Sequence, residues 1–141
     1  MNEQIRDVIL GRAERLAAGD VAGMQQYNAP SVVAYTLAPP LVSGSDGHDP
    51  SGLEAWLKGF EAPPRRAVTA LEITADGDVA FATSLDSMTA TPRGATEPFT
   101  LWFRVTLGLR RIDGRWLVVH EHTSVPFHMD GSLRAAVDLQ P

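Results

Sequence analysis

The chain has 141 residues, the length of one domain, and 44% of them are hydrophobic, which excludes a disordered chain and supplies a real core. Its 12 basic and 17 acidic residues give a formal charge of −5 with no basic stretch, which argues against nucleic acid or an anionic membrane as a partner. Cysteine is absent, and that excludes disulfides, thiolate metal sites and cysteine nucleophiles together.

Residues 3–18 read as a helix, because Ile5, Val8, Ile9, Ala13 and Leu16 recur at three- and four-residue spacings, with the Arg12 stem interrupting the stripe. Asn2 is expected to cap its start and Gly19 to end it. Asp20 caps a short second helix through Tyr27 and Asn28, which Pro30 stops. The segment Ser31 to Leu37 is β-branched and aromatic and reads as a strand. Pro39 to Pro50 is dense in Pro, Gly and Ser and reads as a long loop. A third helix begins at Asp49 or Ser51, with Leu53, Trp56, Leu57 and Phe60 on one face and Pro63-Pro64 at its end.

Four long strands follow: Arg66 to Thr74, Val79 to Thr91, Pro98 to Arg111 and Arg115 to Val125. A short helix is expected at Ser132 to Val137. Helices first and a meander after them give the α+β class, in one domain spanning residues 1–141. No apolar run is long enough to cross a bilayer and the charged first segment has no signal-peptide core, so a cytoplasmic location without membrane partners is expected.

The last hairpin decides which side chains face inward. A two-residue turn on Asp113-Gly114 pairs Arg111 with Trp116, whereas a three-residue turn with Gly114 in a bulge pairs Arg110 with Trp116. The two differ by one residue, which flips one strand's faces. The bulged turn alone collects Leu101, Phe103, Val105, Leu107, Leu117 and Val119 on one face, so it is the expected one. It sends Glu121 and Thr123 to that inner face, with Glu121 opposite Val105. Trp102, Arg104, Trp116, His120 and His122 fall on the outer face. In the preceding strand Val79, Phe81, Thr83 and Leu85 are expected inside.

Four pieces together resemble the SnoaL-like and ketosteroid-isomerase-like branch of the nuclear-transport-factor-2-like superfamily. They are Asp78-Val79-Ala80-Phe81-Ala82-Thr83-Ser84-Leu85, Leu101-Trp102-Phe103-Arg104-Val105-Thr106, Arg110 to Trp116, and His120-Glu121-His122-Thr123-Ser124-Val125-Pro126-Phe127. The resemblance implies a cone-shaped, curved antiparallel sheet wrapped on the N-terminal helices, with an inner pocket. It also implies a membership that runs from isomerases, dehydratases and cyclases to non-catalytic association domains. One departure is informative. The segment Thr36-Leu37-Ala38-Pro39-Pro40, where the family's isomerases would carry their general base, has no acid, and the second acid's place near Val105 is apolar. The steroid-isomerase mechanism therefore does not carry over.

Glu121 is the catalytic candidate, since an apolar cavity raises a carboxyl pKa towards neutrality; the competing reading is a structural carboxylate tied to an arginine, to a backbone amide or to the mouth of the cone. Tyr35, Thr83 and Thr123 are candidates to orient a ligand, and Trp56, Phe81 and Phe103 to line its body, with plain core as the alternative for the aromatics. His120 and His122 share a face but lack a third ligand, so no metal and no cofactor are expected. Two functions remain open. One is a metal-free proton-transfer enzyme of isomerase, dehydratase or cyclase type acting on a small apolar molecule. The other is a ligand-binding or association domain without turnover. An apolar cavity of about 300 Å³ or more holding Glu121 would favour the enzyme, and a filled cone the second reading. Exposed tryptophans among Arg and His on the outer face predict a homodimer through Trp102, Arg104, Trp116, His120 and His122.

Overall fold

The computed structural model describes residues 1–141. Helix α1 spans Asn2–Ala17 and turns its Ile5, Ile9 and Arg12 face inward. Met1, not Asn2, occupies its N-cap position, with no side-chain cap. Gly19 takes a φ of 74° just past its end, the left-handed geometry a glycine adopts at little steric cost. Asp20 caps α2, Val21–Gln25, by accepting from the Gly23 backbone N–H at 2.9 Å. Strand β1 spans Asn28–Tyr35, so Pro30 lies inside it and does not mark a helix end. Proline is tolerated because β1 is the edge of the sheet. The long loop folds back on that edge: Val32 N–H donates to Ser45 O and Ser43 N–H to Ala34 O. Helix α3 spans Ser51–Leu57 and stops short of Pro63-Pro64.

Strands β2 (Arg65–Asp76), β3 (Val79–Ala90), β4 (Phe99–Ile112) and β5 (Arg115–Ser124) form the antiparallel meander. The sheet order is β1-β5-β4-β3-β2, and β1 joins parallel to β5, which makes the curved sheet mixed. The core lies between α1 and the inner face of the meander, centred on Ile5, Ile9, Ala80, Ala82, Phe103, Val105, Leu107, Leu109, Trp116 and Val118.

Three further sequence expectations need correction. First, the hairpin uses the two-residue turn: Arg111 pairs with Trp116, and Asp113 and Gly114 both have positive φ, as a type I′ turn requires. The phase change comes further along, where a β-bulge at Val119 lies opposite the Gly108–Leu109 step. Before that bulge Trp116 and Val118 face inward, and Trp116 is 4% exposed. After it Glu121 and Thr123 face inward and His120 and His122 outward. Glu121 therefore reaches the expected face, but opposite Leu107 and not Val105. Gly108 makes the bulge possible, because a Cβ there would lie 3.2 Å from His120 Cβ.

Second, β3 is in the opposite phase. Ala80, Ala82, Ser84 and Asp86 are buried, while Val79, Phe81, Thr83 and Leu85 lie on the outer face. Ala80 and Ala82 join Ile5 and Ile9 of α1 in the core. Third, residues 132–137 are not helical: Gly131 and Leu133 have positive φ, and the segment turns back so that His128 N–H donates to Arg134 O at 2.8 Å.

Candidate functional site

Arg12 lies one turn beyond Ile9 on the buried face of α1, so its guanidinium is delivered to the sheet interior. There Nη2 donates to Glu121 Oε2, and Nε donates to Asn28 Oδ1 at 3.0 Å. The Arg12 and Glu121 side chains are only 9% and 13% exposed. Asn28 closes the chain of contacts by donating from Nδ2 to Gly47 O at 3.0 Å, which ties the ion pair to the long loop.

A second polar cluster sits beside the first. Arg66, on the inner face of β2, donates from Nε to Asp86 Oδ2 at 2.7 Å. Ser84 Oγ donates to Asp86 Oδ1, also at 2.7 Å. Asp86 is 1% exposed, so its two oxygens exchange water for one guanidinium and one hydroxyl. The Arg66 guanidinium carbon lies 5.2 Å from the centre of the Phe103 ring, which holds the arginine flat against the sheet.

A cleft between α1 and the sheet runs over both clusters. Its inner part is lined by Ile9, Arg12, Leu16, Ser84, Asp86 and Val105, among others, and leaves about 20 Å³ open to water centres. Its outer part is lined by Trp56, Pro64, Met88 and Phe103 and leaves about 30 Å³. Ala13, Leu16 and Arg66 line both, so Arg66 stands between two halves of one cleft. Each half has room for one or two waters, well below the ~300 Å³ of an open ligand pocket.

Glu121 is held as a carboxylate. Burial pushes its pKa up, but the charge of Arg12, then that of Arg66, the hydrogen bond from Arg12 and the charge of His120 outweigh burial and bring it below the ordinary glutamate value. A carboxylate in that state is a weak base and is not available as an acid near neutral pH.

The other anticipated site residues separate into two groups. Phe103 and Thr123 are buried on the inner face, with Phe103 lining the outer half of the cleft. Trp56 lines the same half and packs edge-on against Phe60, ring centres 5.1 Å apart. Phe81, Thr83 and Tyr35 are on the outer face and cannot line the cleft; Tyr35 packs edge-on against His120 and His122 at 5.2 and 5.3 Å. Of the proposed outer-face set, Trp102, Arg104, His120 and His122 lie there, while Trp116 is core. Sequence reasoning missed Arg66, Ser84, Asp86 and Asn28. The available signal was the alternation Ala80, Ala82, Ser84, Asp86: a run of small residues ending in an acid fits a strand face pressed by a helix.

The profile of the SnoaL-like domain matches residues 5–128 of this chain. No curated protein sequence matches it significantly. Among solved structures, a nuclear-transport-factor-2-like protein of unknown function from Pseudomonas putida shares 27% identity and superposes with a TM-score of 0.85, covering 99% of this chain and 95% of the other. A candidate scytalone dehydratase from Novosphingobium aromaticivorans superposes with a TM-score of 0.79 at 13% identity, over 99% and 93% of the two chains. A candidate calcium/calmodulin-dependent protein kinase II association domain from Xanthomonas campestris does so with a TM-score of 0.75 at 19% identity, over 88% and 86%. At those identities the last two speak for the fold alone.

Proposed function

Because the chain belongs to the SnoaL-like domain family, we propose that it is a small-molecule pocket protein of the isomerase, dehydratase or cyclase type. Its polar end is formed by Arg12, Arg66, Ser84 and Asp86, and its apolar body by Leu16, Val105, Phe103 and Trp56. The observation that carries this reading is Asp86, a carboxylate 1% exposed in the lining of a cleft, with one hydroxyl and one guanidinium as its only partners.

Asp86 is paired with Arg66 as Glu121 is with Arg12, so a substrate carbonyl must draw the Arg66 N–H away. The freed Asp86 oxygen then accepts a proton from carbon next to that carbonyl, while the guanidinium N–H stabilises the oxygen on which negative charge develops. In a dehydration the C–H electron pair forms the new double bond, the C–O bond breaks, and the departing hydroxide recovers the proton from Asp86 as water. No net proton is gained or lost. Glu121 serves this arrangement from behind by fixing the Arg12 guanidinium, and its expected role as the proton-transfer group passes to Asp86.

The narrowness of the cleft favours a second reading, an association domain in which these ion pairs organise the core and nothing turns over. Incubation with a panel of β-hydroxy and β,γ-unsaturated ketones separates the two. Ultraviolet absorbance of a conjugated product, lost in Asp86→Asn, supports the pocket enzyme. Neither turnover nor shifted NMR resonances of cleft residues with any panel member leaves the association domain.

A further inference from the structure

The cleft is lined by two guanidinium groups whose hydrogen-bonding capacity is only partly used. A guanidinium carries five N–H donors in one plane. Arg12 directs Nε to Asn28 and Nη2 to Glu121, whereas Arg66 directs only Nε, to Asp86. Asp86 accepts one bond on each oxygen, from Arg66 and from Ser84. Neither terminal nitrogen of Arg66 has a partner in the chain, and neither does Arg12 Nη1. Trp116 Nε1 is the one fully buried side-chain nitrogen or oxygen without a partner, so these terminal nitrogens are not sealed in protein. Arg66, its side chain 17% exposed, presents them to the cleft.

We propose that the cleft is a receptor for a small planar monocarboxylate, held bidentately by Nη1 and Nη2 of Arg66, with its apolar body between Phe103 and Trp56. The shape of the unused edge selects the class. Asp86 takes Nε, and the two terminal nitrogens left over form the fork that matches the two oxygens of a carboxylate. A single carbonyl oxygen fills half of that fork, and a primary amide sets an NH2 donor against one of its N–H donors. Asp86 and Glu121 are each paired with their own arginine, so they oppose a third carboxylate less than bare charges would. Such a ligand leaves Arg66 on Asp86 and occupies the cleft without freeing the base. This binding rests on the cleft being the small-molecule site proposed above, and it requires no turnover.

Room for the body comes from Trp56. The outer half of the cleft leaves about 30 Å³, which the carboxylate oxygens fill in place of water but which a ring does not fit. Trp56 is 39% exposed and belongs to α3, none of whose residues is buried. An element with so little buried surface moves at low cost. Turning the indole outward gives up its edge-on contact with Phe60 and opens the space between Phe103, Pro64 and Met88.

Benzoate titrated into the isotope-labelled wild-type chain is expected to shift the side-chain N–H resonances of Arg66 and Trp56 saturably. It is expected to bind about tenfold more tightly than benzamide, its neutral analogue of the same shape. Equal affinity for the two, no shift at millimolar benzoate, or saturable shifts confined to residues outside the cleft overturns the proposal. Arg66→Lys keeps a charge for Asp86 and removes the fork, so it is expected to keep the far-ultraviolet spectrum and lose about tenfold in benzoate affinity. A folded Arg66→Lys protein that binds benzoate as the wild type does overturns the proposal; if that variant does not fold, the comparison of benzoate with benzamide on the wild type decides. Ketone turnover by a protein that does not bind benzoate overturns this site and leaves the enzyme, whereas benzoate binding without turnover of any ketone supports this site and removes the enzyme.

Discussion

Glu121→Gln separates a structural carboxylate from a catalytic one. The change removes one negative charge and keeps the shape and one acceptor. The Arg12 guanidinium, 9% exposed, is then left with two neutral partners, the Asn28 amide and the amide carbonyl that replaces the carboxylate. Breaking a buried ion pair from one side costs about 3–5 kcal/mol. Retention of an acceptor puts this variant at the lower end, about 3 kcal/mol, a large part of the 5–15 kcal/mol that holds a domain of this size. At roughly 3–4 °C per kcal/mol for a chain of this length, Tm falls by about 10 °C. The pH dependence carries its own sign. The folded-state pKa of Glu121 lies below its ordinary value of 4.5. Between that value and the folded pKa the unfolded chain binds the extra proton, so stability rises with pH there. The stabilisation is thus complete above the ordinary glutamate pKa and disappears as pH falls through the depressed one. Calorimetry of both proteins from pH 7 down to the acid transition reads this directly. The Tm difference is expected to be large at pH 7 and to shrink in acid. A Tm unchanged to within about 2 °C at pH 7 would refute the ion-pair assignment.

Asn28→Ala removes a buried acceptor of Arg12 Nε and a donor to Gly47 O. It is expected to cost about 2–4 kcal/mol in urea unfolding and to quicken proteolysis of the 38–47 loop. Ala70 sits at a bulge in β2 with φ 51°, so Ala70→Gly should be neutral or stabilising by up to ~1 kcal/mol, against the ~0.5–1 kcal/mol loss a glycine normally causes in a strand; a loss of that size would count against the bulge. Gly108→Ala pushes a methyl to 3.2 Å from His120 Cβ and is expected to destabilise by about 1–2 kcal/mol, with amide exchange rising on both sides of the β5 bulge.

Local patterns were enough to read the helix at Asn2–Ala17, the four long strands within one or two residues at most ends, and the family. In each, periodicity or turn chemistry is written into neighbouring residues. The faces of the strands were not legible in the same way. In β3 both alternating sets are apolar, and only the folded sheet decides which one faces the core that Ile5 and Ile9 of α1 share: Ala80 and Ala82 are buried in it, while the larger Phe81 and Leu85 are left outside. On β5 the inward placement of Glu121 was anticipated through the wrong device. The turn is the short one, and the change of phase is made by a bulge opposite Gly108, a residue whose role appears only when β4 and β5 are laid together. The polar cleft is the clearest case. Arg12, Asn28, Arg66, Asp86 and Glu121 stand 16 to 109 positions apart within their hydrogen-bonded pairs, so no spacing in the chain announces them. Folding α1 across the sheet brings them together, because a buried charge must find an opposite one, and tertiary packing determines which lies within reach.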